Sequence, residues 1–326
     1  MSGHINGANI SDIYHGNDCI ESVYKGSDLI FDNSDILKKY VEGSTSFKVP
    51  KETTSLRTEC FYDWNTLKKI KFEEPCQITS LGDDCFVGCT SLQSIDIPNS
   101  VTSLGNYCFS NCLSLTEVIF EEPCQIKKIS ASCFFNCLSL QEIVVPNGVT
   151  ELGDGCFQFC HSLQNVTLPN TVTIIEDNCF DSCRSLKNIT IPNSVQSLGY
   201  SCFYDCSSLQ SIIIPNSVQS IGGQCFTGNI SLNTVVFEEP CQITELPRIC
   251  FRDCKLLTEI TIPSSVTTID SNCFGDSYEP NTTLTTIYIN KPTDSIAGAP
   301  WGATNATVIW NDDYSEDERG DSEPQA

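Results

Sequence analysis

Residues 179–218, with the sequence CFDSCRSLKNITIPNSVQSLGYSCFYDCSSLQSIIIPNSV, decide the fold of this chain. They contain the same unit twice, because Cys179-Phe180 recurs 23 residues later as Cys202-Phe203. The string Ile-Pro-Asn-Ser-Val likewise occurs at residues 191–195 and again at 214–218. Self-similarity at a fixed short period is the signature of repeat proteins, whose units stack into one elongated domain. We therefore expect a solenoid.

The same unit extends in both directions from this stretch, with a spacing of 23 residues, or 25 where one loop is longer. The segment Leu-x-x-Ile-x-Ile, as in Leu92, Ile95 and Ile97, predicts a strand with alternate side chains inward. The segment Cys-Phe-x-x-Cys, as in Cys108 and Cys112, has i, i+4 spacing and predicts one short helical turn. The Cys-Phe pairs begin at Cys60, Cys85, Cys108, Cys133, Cys156, Cys179, Cys202, Cys225, Cys250 and Cys273.

This unit resembles that of the BspA-like (Treponema pallidum-type) leucine-rich repeat family, in which LxxIxIPxSVTxIGxxAFxxC recurs. Cysteine stands here where the family has alanine before phenylalanine. The resemblance covers residues 58–290 and implies an α/β repeat solenoid of about ten 23–25-residue units, each a strand plus a short helical turn. Family members are mostly surface proteins of bacteria and protists, so it also implies adhesion or protein binding without enzymatic activity.

The N-terminal segments differ from the array. Residues 1–31 contain short β-type runs separated by glycine turns, which predicts a small β module. Within it, IYHGNDCIESVYKGSDLIF (residues 13–31) resembles a module at the ends of tailed-phage structural proteins, which implies a virion anchor; the alternative is a simple β cap. Residues 32–57 predict a linker and N-terminal cap, in which residues 47–50 form a degenerate first strand.

The C-terminal segments predict a cap and a tail. An array needs cover over its last rung, and residues 291–310 offer Trp301, Val308, Ile309 and Trp310. This ending resembles those attached to BspA-like arrays in gut bacteria and their phages. Residues 311–326, NDDYSEDERGDSEPQA, are acidic and nearly devoid of apolar residues, which predicts a disordered tail.

The charge and the apolar pattern narrow the class of partner. A net charge of −23 disfavours nucleic acid, whose binders carry basic patches, and disfavours docking on anionic membranes. No apolar run reaches the roughly 18–20 residues of a membrane helix, and the N-terminus shows no signal-peptide pattern. We therefore expect synthesis in the cytoplasm, no membrane insertion, and a final place on a virion or an extracellular surface.

The 21 cysteines are explained by the repeat rather than by a redox or metal motif. The spacing C-x3-C differs from the C-x2-C of zinc knuckles, and both cysteines fall on inward positions, where a free thiol acts as a small hydrophobe. Disulfides between rungs stay open as an alternative, because equivalent Cα atoms of neighbouring strands lie about 4.8 Å apart. We expect a structural thiol column and no cofactor; a cysteine-based metal-binding protein is the least favoured hypothesis.

No catalytic constellation is recognisable, so we expect no enzyme. His161 stands beside Cys160, but neighbouring side chains on a turn diverge. Three longer units contain Glu-Glu-Pro-Cys-Gln-Ile, and their glutamate pairs could hold a cation. Adjacent side chains of an extended backbone point to opposite sides, which makes a chelate less favourable. The pairs are Glu73/Glu74, Glu121/Glu122 and Glu238/Glu239.

The outward positions of the strands are the candidate binding face. They form two columns of mainly β-branched and neutral polar side chains, and solenoids commonly bind partners on such faces; the alternative is strand propensity without a ligand. We call this surface the strand ribbon and expect a protein partner, either a virion protein or a host surface receptor. Its residues are Ile119, Val144, Thr167, Thr190, Ile213, Val236 and Thr261, with Asn165, Asn188 and Ser211 in the neighbouring column.

For the function of the whole protein, the favoured hypothesis is a phage virion component of tail- or head-fibre type, and the alternative is a cell-surface adhesin.

Overall fold

The computed structural model describes residues 4–5, 8–9, 24–25, 28–29, 45–49, 51, 53–275 and 278–312. Over these residues the chain forms a parallel β-solenoid of about 11 turns. The predictions for the tail beyond residue 312, and for most of residues 1–31 and 32–57, lie outside the described residues. The domain boundaries therefore stay predictions.

Most rungs of the solenoid contain a long strand, a short strand and a connecting turn; residues 188–191, at a long-strand position, form no strand. Two hairpins precede the array: β1 (His4–Ile5) with β2 (Ala8–Asn9), and β3 (Tyr24–Lys25) with β4 (Asp28–Leu29). The long strands are β5 (Ser46–Val49), β7 (Lys69–Phe72), β9 (Ser94–Ile97), β11 (Glu117–Phe120), β13 (Glu142–Val144), β15 (Asn165–Thr167), β18 (Ser211–Ile214), β20 (Thr234–Phe237), β22 (Glu259–Ile262), β24 (Thr286–Ile289) and β25 (Thr307–Trp310). The short strands are β6 (Ser55–Leu56), β8 (Ser80–Leu81), β10 (Ser103–Leu104), β12 (Lys128–Ile129), β14 (Glu151–Leu152), β16 (Ile174–Ile175), β17 (Ser197–Leu198), β19 (Ser220–Ile221), β21 (Glu245–Leu246) and β23 (Thr268–Ile269).

Neighbouring rungs pair in parallel with equivalent residues opposite each other. Val118 lies opposite Ile95, and Leu198 opposite Ile175. Stacking in this register places each inward leucine or isoleucine on its counterpart, which buries a continuous core. The expected first strand is present, because β5 pairs with β7 and its Phe47 and Val49 are buried.

The predicted helical turn at Cys-Phe-x-x-Cys is wrong, because this segment is a chain of tight turns and no helix occurs among the described residues. Asn178 and Ser182 have φ values of 53° and 59°, in the left-handed region that a right-handed helix does not use. The N–H groups of Asn178, Phe180 and Ser182 donate to the next rung, at 2.8, 2.8 and 2.7 Å. The i, i+4 spacing therefore reflects a turn that bonds to its neighbours, and we call this segment the Cys-Phe turn.

Phenylalanine side chains form the centre of the core. Ten rings, from Phe61 to Phe274, stack along the array with centroid distances between 5.0 Å and 6.0 Å. Nearly parallel rings at this separation combine a large apolar burial with favourable ring–ring geometry. The first ring also stacks on Trp64, which occupies the second-cysteine position of its unit.

The two ends of the array are closed differently. At the N-terminal end, β4 pairs in parallel with β6, so the second hairpin continues the short-strand sheet. At the C-terminal end, β25 pairs with β24, and Trp301 is buried while its indole N–H donates to the Ala297 carbonyl at 2.7 Å. Ile309 instead lies exposed, opposite Tyr288, so it extends the strand ribbon rather than covering the core.

Candidate binding surface

The strand ribbon is an outward face whose side chains are exposed. Val144 has 62% of its side chain surface exposed and Ile213 has 52%, which is high for aliphatic residues. Ile119 and Val236 belong to the same column and are also exposed. Thr167, Thr190, Thr261, Asn165 and Asn188 are exposed as well, whereas Ser211 is half-buried. Nine of the ten predicted residues are therefore exposed, and Val144 lies opposite Thr167 and Ile213 opposite Val236 on paired strands.

Buried neighbours hold these exposed side chains in place. Val144 stands between the buried Ile143 and Val145, and Ile213 between the buried Ile212 and Ile214. Since strand side chains alternate, anchoring the inward residues fixes the direction of the outward ones. The ribbon is thus a surface with little side-chain freedom to lose on binding.

The long-strand sheet is not continuous, and its interruptions form depressions in the ribbon. The sheet breaks between β11 and β13 and between β20 and β22, where the loops at residues 120–126 and 237–243 are two residues longer than usual, and also between β15 and β18. A depression of about 330 Å³ lies at the first break and is bordered by Ile119 and Val144. A second depression, shallower and bordered by Thr190 and Pro192, lies where residues 188–191 form no strand.

The glutamate pairs of the inserted loops have structural partners. The second glutamate of each pair accepts a hydrogen bond from the backbone N–H two residues later, as in Glu122 Oε2 with Cys124 N at 3.0 Å. The same bond occurs at Glu74 and Glu239. These carboxylates therefore close the turn around the following proline. Among the residues that the structure describes, no group of three or more His, Cys, Asp or Glu side chains could hold a metal ion.

The cysteines of the Cys-Phe turn are buried free thiols with two distinct environments. The first cysteine of the turn lies among other thiols, and Cys156 Sγ is 3.5 Å from Cys179 Sγ. The second donates to the phenylalanine carbonyl of the preceding rung, as in Cys183 Sγ to Phe157 O at 3.3 Å. Burial raises the pKa of both Cys179 and Cys183 well above the ordinary value, so the reactive thiolate is disfavoured.

The thiol-to-carbonyl bonds are the feature that sequence reasoning missed. They recur along the array with sulfur–oxygen distances of 3.1–3.3 Å, at Cys89, Cys112, Cys137, Cys160, Cys183, Cys206 and Cys254. In one rung Asn229 takes the place of the cysteine, and its Nδ2 donates to Phe203 O at 2.9 Å. That replacement of one donor by another is the signal that could have revealed the bond.

Cys160 and His161 do not form a nucleophile–base pair. The Cys160 thiol is buried and donates to Phe134 O at 3.1 Å, and burial raises its pKa to about 12. Burial, followed by the nearby Arg184, lowers the pKa of His161. The imidazole packs edge-on against Phe159, so its contact is with an aromatic neighbour rather than with the thiol.

A parallel solenoid of short units with stacked leucine, isoleucine and phenylalanine columns defines the class of leucine-rich repeat proteins. The family model described as "BspA type Leucine rich repeat region (6 copies)" matches the sequence twice, over residues 39–164 and again over residues 150–281. The chain therefore belongs to the BspA-type leucine-rich repeat family.

No helix in the described residues is long and apolar enough to span a membrane.

Two solved structures share this fold. One is a leucine-rich repeat protein from Bacteroides ovatus, with 23% identity, coverage of 82% of this chain and 84% of that one, and a TM-score of 0.59. The other is a leucine-rich repeat protein from Eubacterium ventriosum, with 21% identity, coverage of 94% and 91%, and a TM-score of 0.51. No curated protein sequence gives a match to this chain.

Proposed function

We propose that this protein is a non-enzymatic binding protein that presents the strand ribbon to a protein partner. The observation that carries the proposal is the column of exposed aliphatic side chains on a rigid sheet, with Val144 and Ile213 more than half exposed. These residues form two apolar pairs, Ile119 with Val144 and Ile213 with Val236, separated by Thr167 and Thr190, and exposed apolar patches mark interaction sites on soluble proteins. The strands beneath are anchored by the core, so the surface is preorganised for a partner.

The test compares two double variants that each add two positive charges. Thr167→Lys with Thr190→Lys places both lysines on the ribbon, and the apolar core of an interface disfavours charge. Gln196→Lys with Gln219→Lys is the control, because these exposed residues lie one rung apart beside the short strands. We expect proteins captured by the immobilised wild type to be captured by the control and lost by the ribbon variant. Equal capture by all three would place the binding surface elsewhere.

The favoured setting for this binding is a phage virion, with the N-terminal segment as anchor and the array as the outward-facing part. The resemblance of residues 13–31 to a phage structural module supports this setting. Mass spectrometry of purified particles should detect the wild-type chain. A chain without residues 1–31 keeps β5 with its buried Phe47, so we expect it to fold and yet to be absent from particles.

A cell-surface adhesin is the alternative setting, which the family resemblance favours. Surface labelling of the producing cells distinguishes the two. Labelling of intact cells in the absence of particles, or incorporation of the shortened chain into particles, would contradict the virion setting and leave the binding role in place.

A further inference from the structure

The depression between β11 and β13 combines apolar walls with an acidic rim. Its volume is about 330 Å³, and Ile119, Val144 and Pro146 form apolar parts of its lining. It lies where the long-strand ladder is interrupted between β11 and β13, next to the longer loop at residues 120–126. A recess of this volume holds one long side chain of a partner.

The rim of the depression carries three carboxylates: Glu117, Glu122 and Glu142. Glu117 and Glu142 occupy the same column on successive long strands, and both are exposed. Within the described residues neither has an ion-pair partner. Lys127, whose ammonium group lies beside Gly148, does not line the depression.

This arrangement does not recur at the other breaks of the sheet. The four long-strand positions that follow in the same column are uncharged: Asn165, Asn188, Ser211 and Thr234. At the break between β20 and β22, Thr234 occupies the position that Glu117 has at the break between β11 and β13. Glu259 on β22 is therefore the single carboxylate in this column at that break. A cationic side chain is the electrostatically complementary occupant for a recess bordered by exposed carboxylates.

We propose that this depression receives an arginine side chain of the protein bound on the strand ribbon, a proposal that rests on the proposed function. The methylene stem of arginine packs on Ile119 and Val144, and its planar guanidinium donates to Glu117 and Glu142. Charge complementarity selects this occupant, because nucleic acid, anionic lipid and the acidic residues 311–326 of the chain itself are all repelled by the rim.

The first experiment measures the binding of two peptides to protein with labelled isoleucine and valine methyl groups. One peptide is acetyl-Thr-Val-Arg-Val-Thr-amide, and the other has citrulline, a neutral isostere, in place of arginine. We expect the arginine peptide to shift the methyl signals of Ile119 and Val144 and to bind roughly tenfold more tightly than the citrulline peptide. Equal binding of the two peptides, or no shift of these methyl signals, would overturn the proposal.

The second experiment uses two double variants with the same net charge. Glu117→Gln with Glu142→Gln should weaken binding of the arginine peptide roughly tenfold, whereas Glu59→Gln with Glu245→Gln, at two exposed positions outside the strand ribbon, should leave it unchanged. An equal loss in both variants would mean a general charge effect and would overturn the proposal. If the rim variant still captures the natural partner while the ribbon variant with two lysines does not, the binding role stands and the arginine site does not.

Discussion

The Cys-Phe turns and the long strands belong to the same rungs but differ in regularity. Along the turns, the phenylalanine rings stack without interruption, and consecutive rings are within 9° of parallel as far as Phe251. Along the long strands, the ladder divides into four separate sheets among the described residues. A depression occurs beside two of the places where the ladder is interrupted.

This difference indicates that the two sides have separate roles. The turns maintain the register, since backbone N–H groups join the turns of neighbouring rungs, and seven buried thiols add further bonds between rungs. The strand side can then lose pairing at individual rungs without losing the fold. Variation in loop length and outward side chains therefore accumulates on the side where a partner would bind.

The largest expected loss of stability comes from removing one ring of the phenylalanine stack. Phe180→Ala removes a fully buried ring between two parallel neighbours, and we expect a loss of about 3–5 kcal/mol in the free energy of unfolding. Thr190→Ala, at an exposed position of the same unit, should change the free energy of unfolding by less than about 0.5 kcal/mol. Chemical denaturation monitored by circular dichroism measures both. Similar losses in the two variants would contradict the division of roles.

A smaller loss of stability should come from adding a side chain at Gly105, where two rungs approach closely. A Cβ atom at Gly105 would lie 2.2 Å from the backbone nitrogen of Asp83, so Gly105→Ala forces two rungs apart. We expect a loss of about 1–3 kcal/mol, as in overpacked cores. Gly223→Ala is the control, because its Cβ would meet its nearest neighbour at 3.4 Å, an ordinary contact. A fully tolerated Gly105→Ala would show that the rungs are not held at this distance.

Replacing the two cysteines of one turn by alanine should destabilise the protein to different extents. Both changes remove a buried sulfur, but only Cys183→Ala also removes a bond to a carbonyl oxygen. We therefore expect Cys183→Ala to be more destabilising than Cys179→Ala by about 0.5–1.5 kcal/mol. Thermal unfolding of the two variants side by side measures this difference. The reverse order would mean that the contact between the Cys156 and Cys179 thiols outweighs the carbonyl bond.

The smallest effect on stability should come from the strand ribbon. Thr167→Lys with Thr190→Lys changes only exposed side chains, so we expect each substitution to alter the free energy of unfolding by less than about 0.5 kcal/mol. Calorimetric unfolding of the double variant checks this expectation. A large loss would show that the ribbon contributes to the fold, and any loss of binding could then not be assigned to the surface alone.

The amino-acid sequence determined the period, the inward columns and the outward ribbon. When identical units stack, each side chain lies on its own counterpart, so a repeat with Leu92, Ile95 and Phe109 at fixed spacing can bury its apolar face in few ways. The ten residues predicted for the ribbon follow from strand alternation alone; nine of them are exposed and Ser211 is half-buried.

The tertiary structure alone decided the conformation of the turns and the shape of the ribbon. The spacing of Cys179 and Cys183 fits both a helical turn and a tight turn with left-handed residues. The choice depends on hydrogen bonds to Tyr200, Cys202 and Tyr204 in the next rung, and no local pattern contains those partners. The depression beside Glu117 and Glu142 likewise depends on the separation of β11 and β13, because the equally long loop at residues 72–78 leaves β7 and β9 paired. That separation is the outcome of packing between rungs, whereas the repeat period describes only the unit itself.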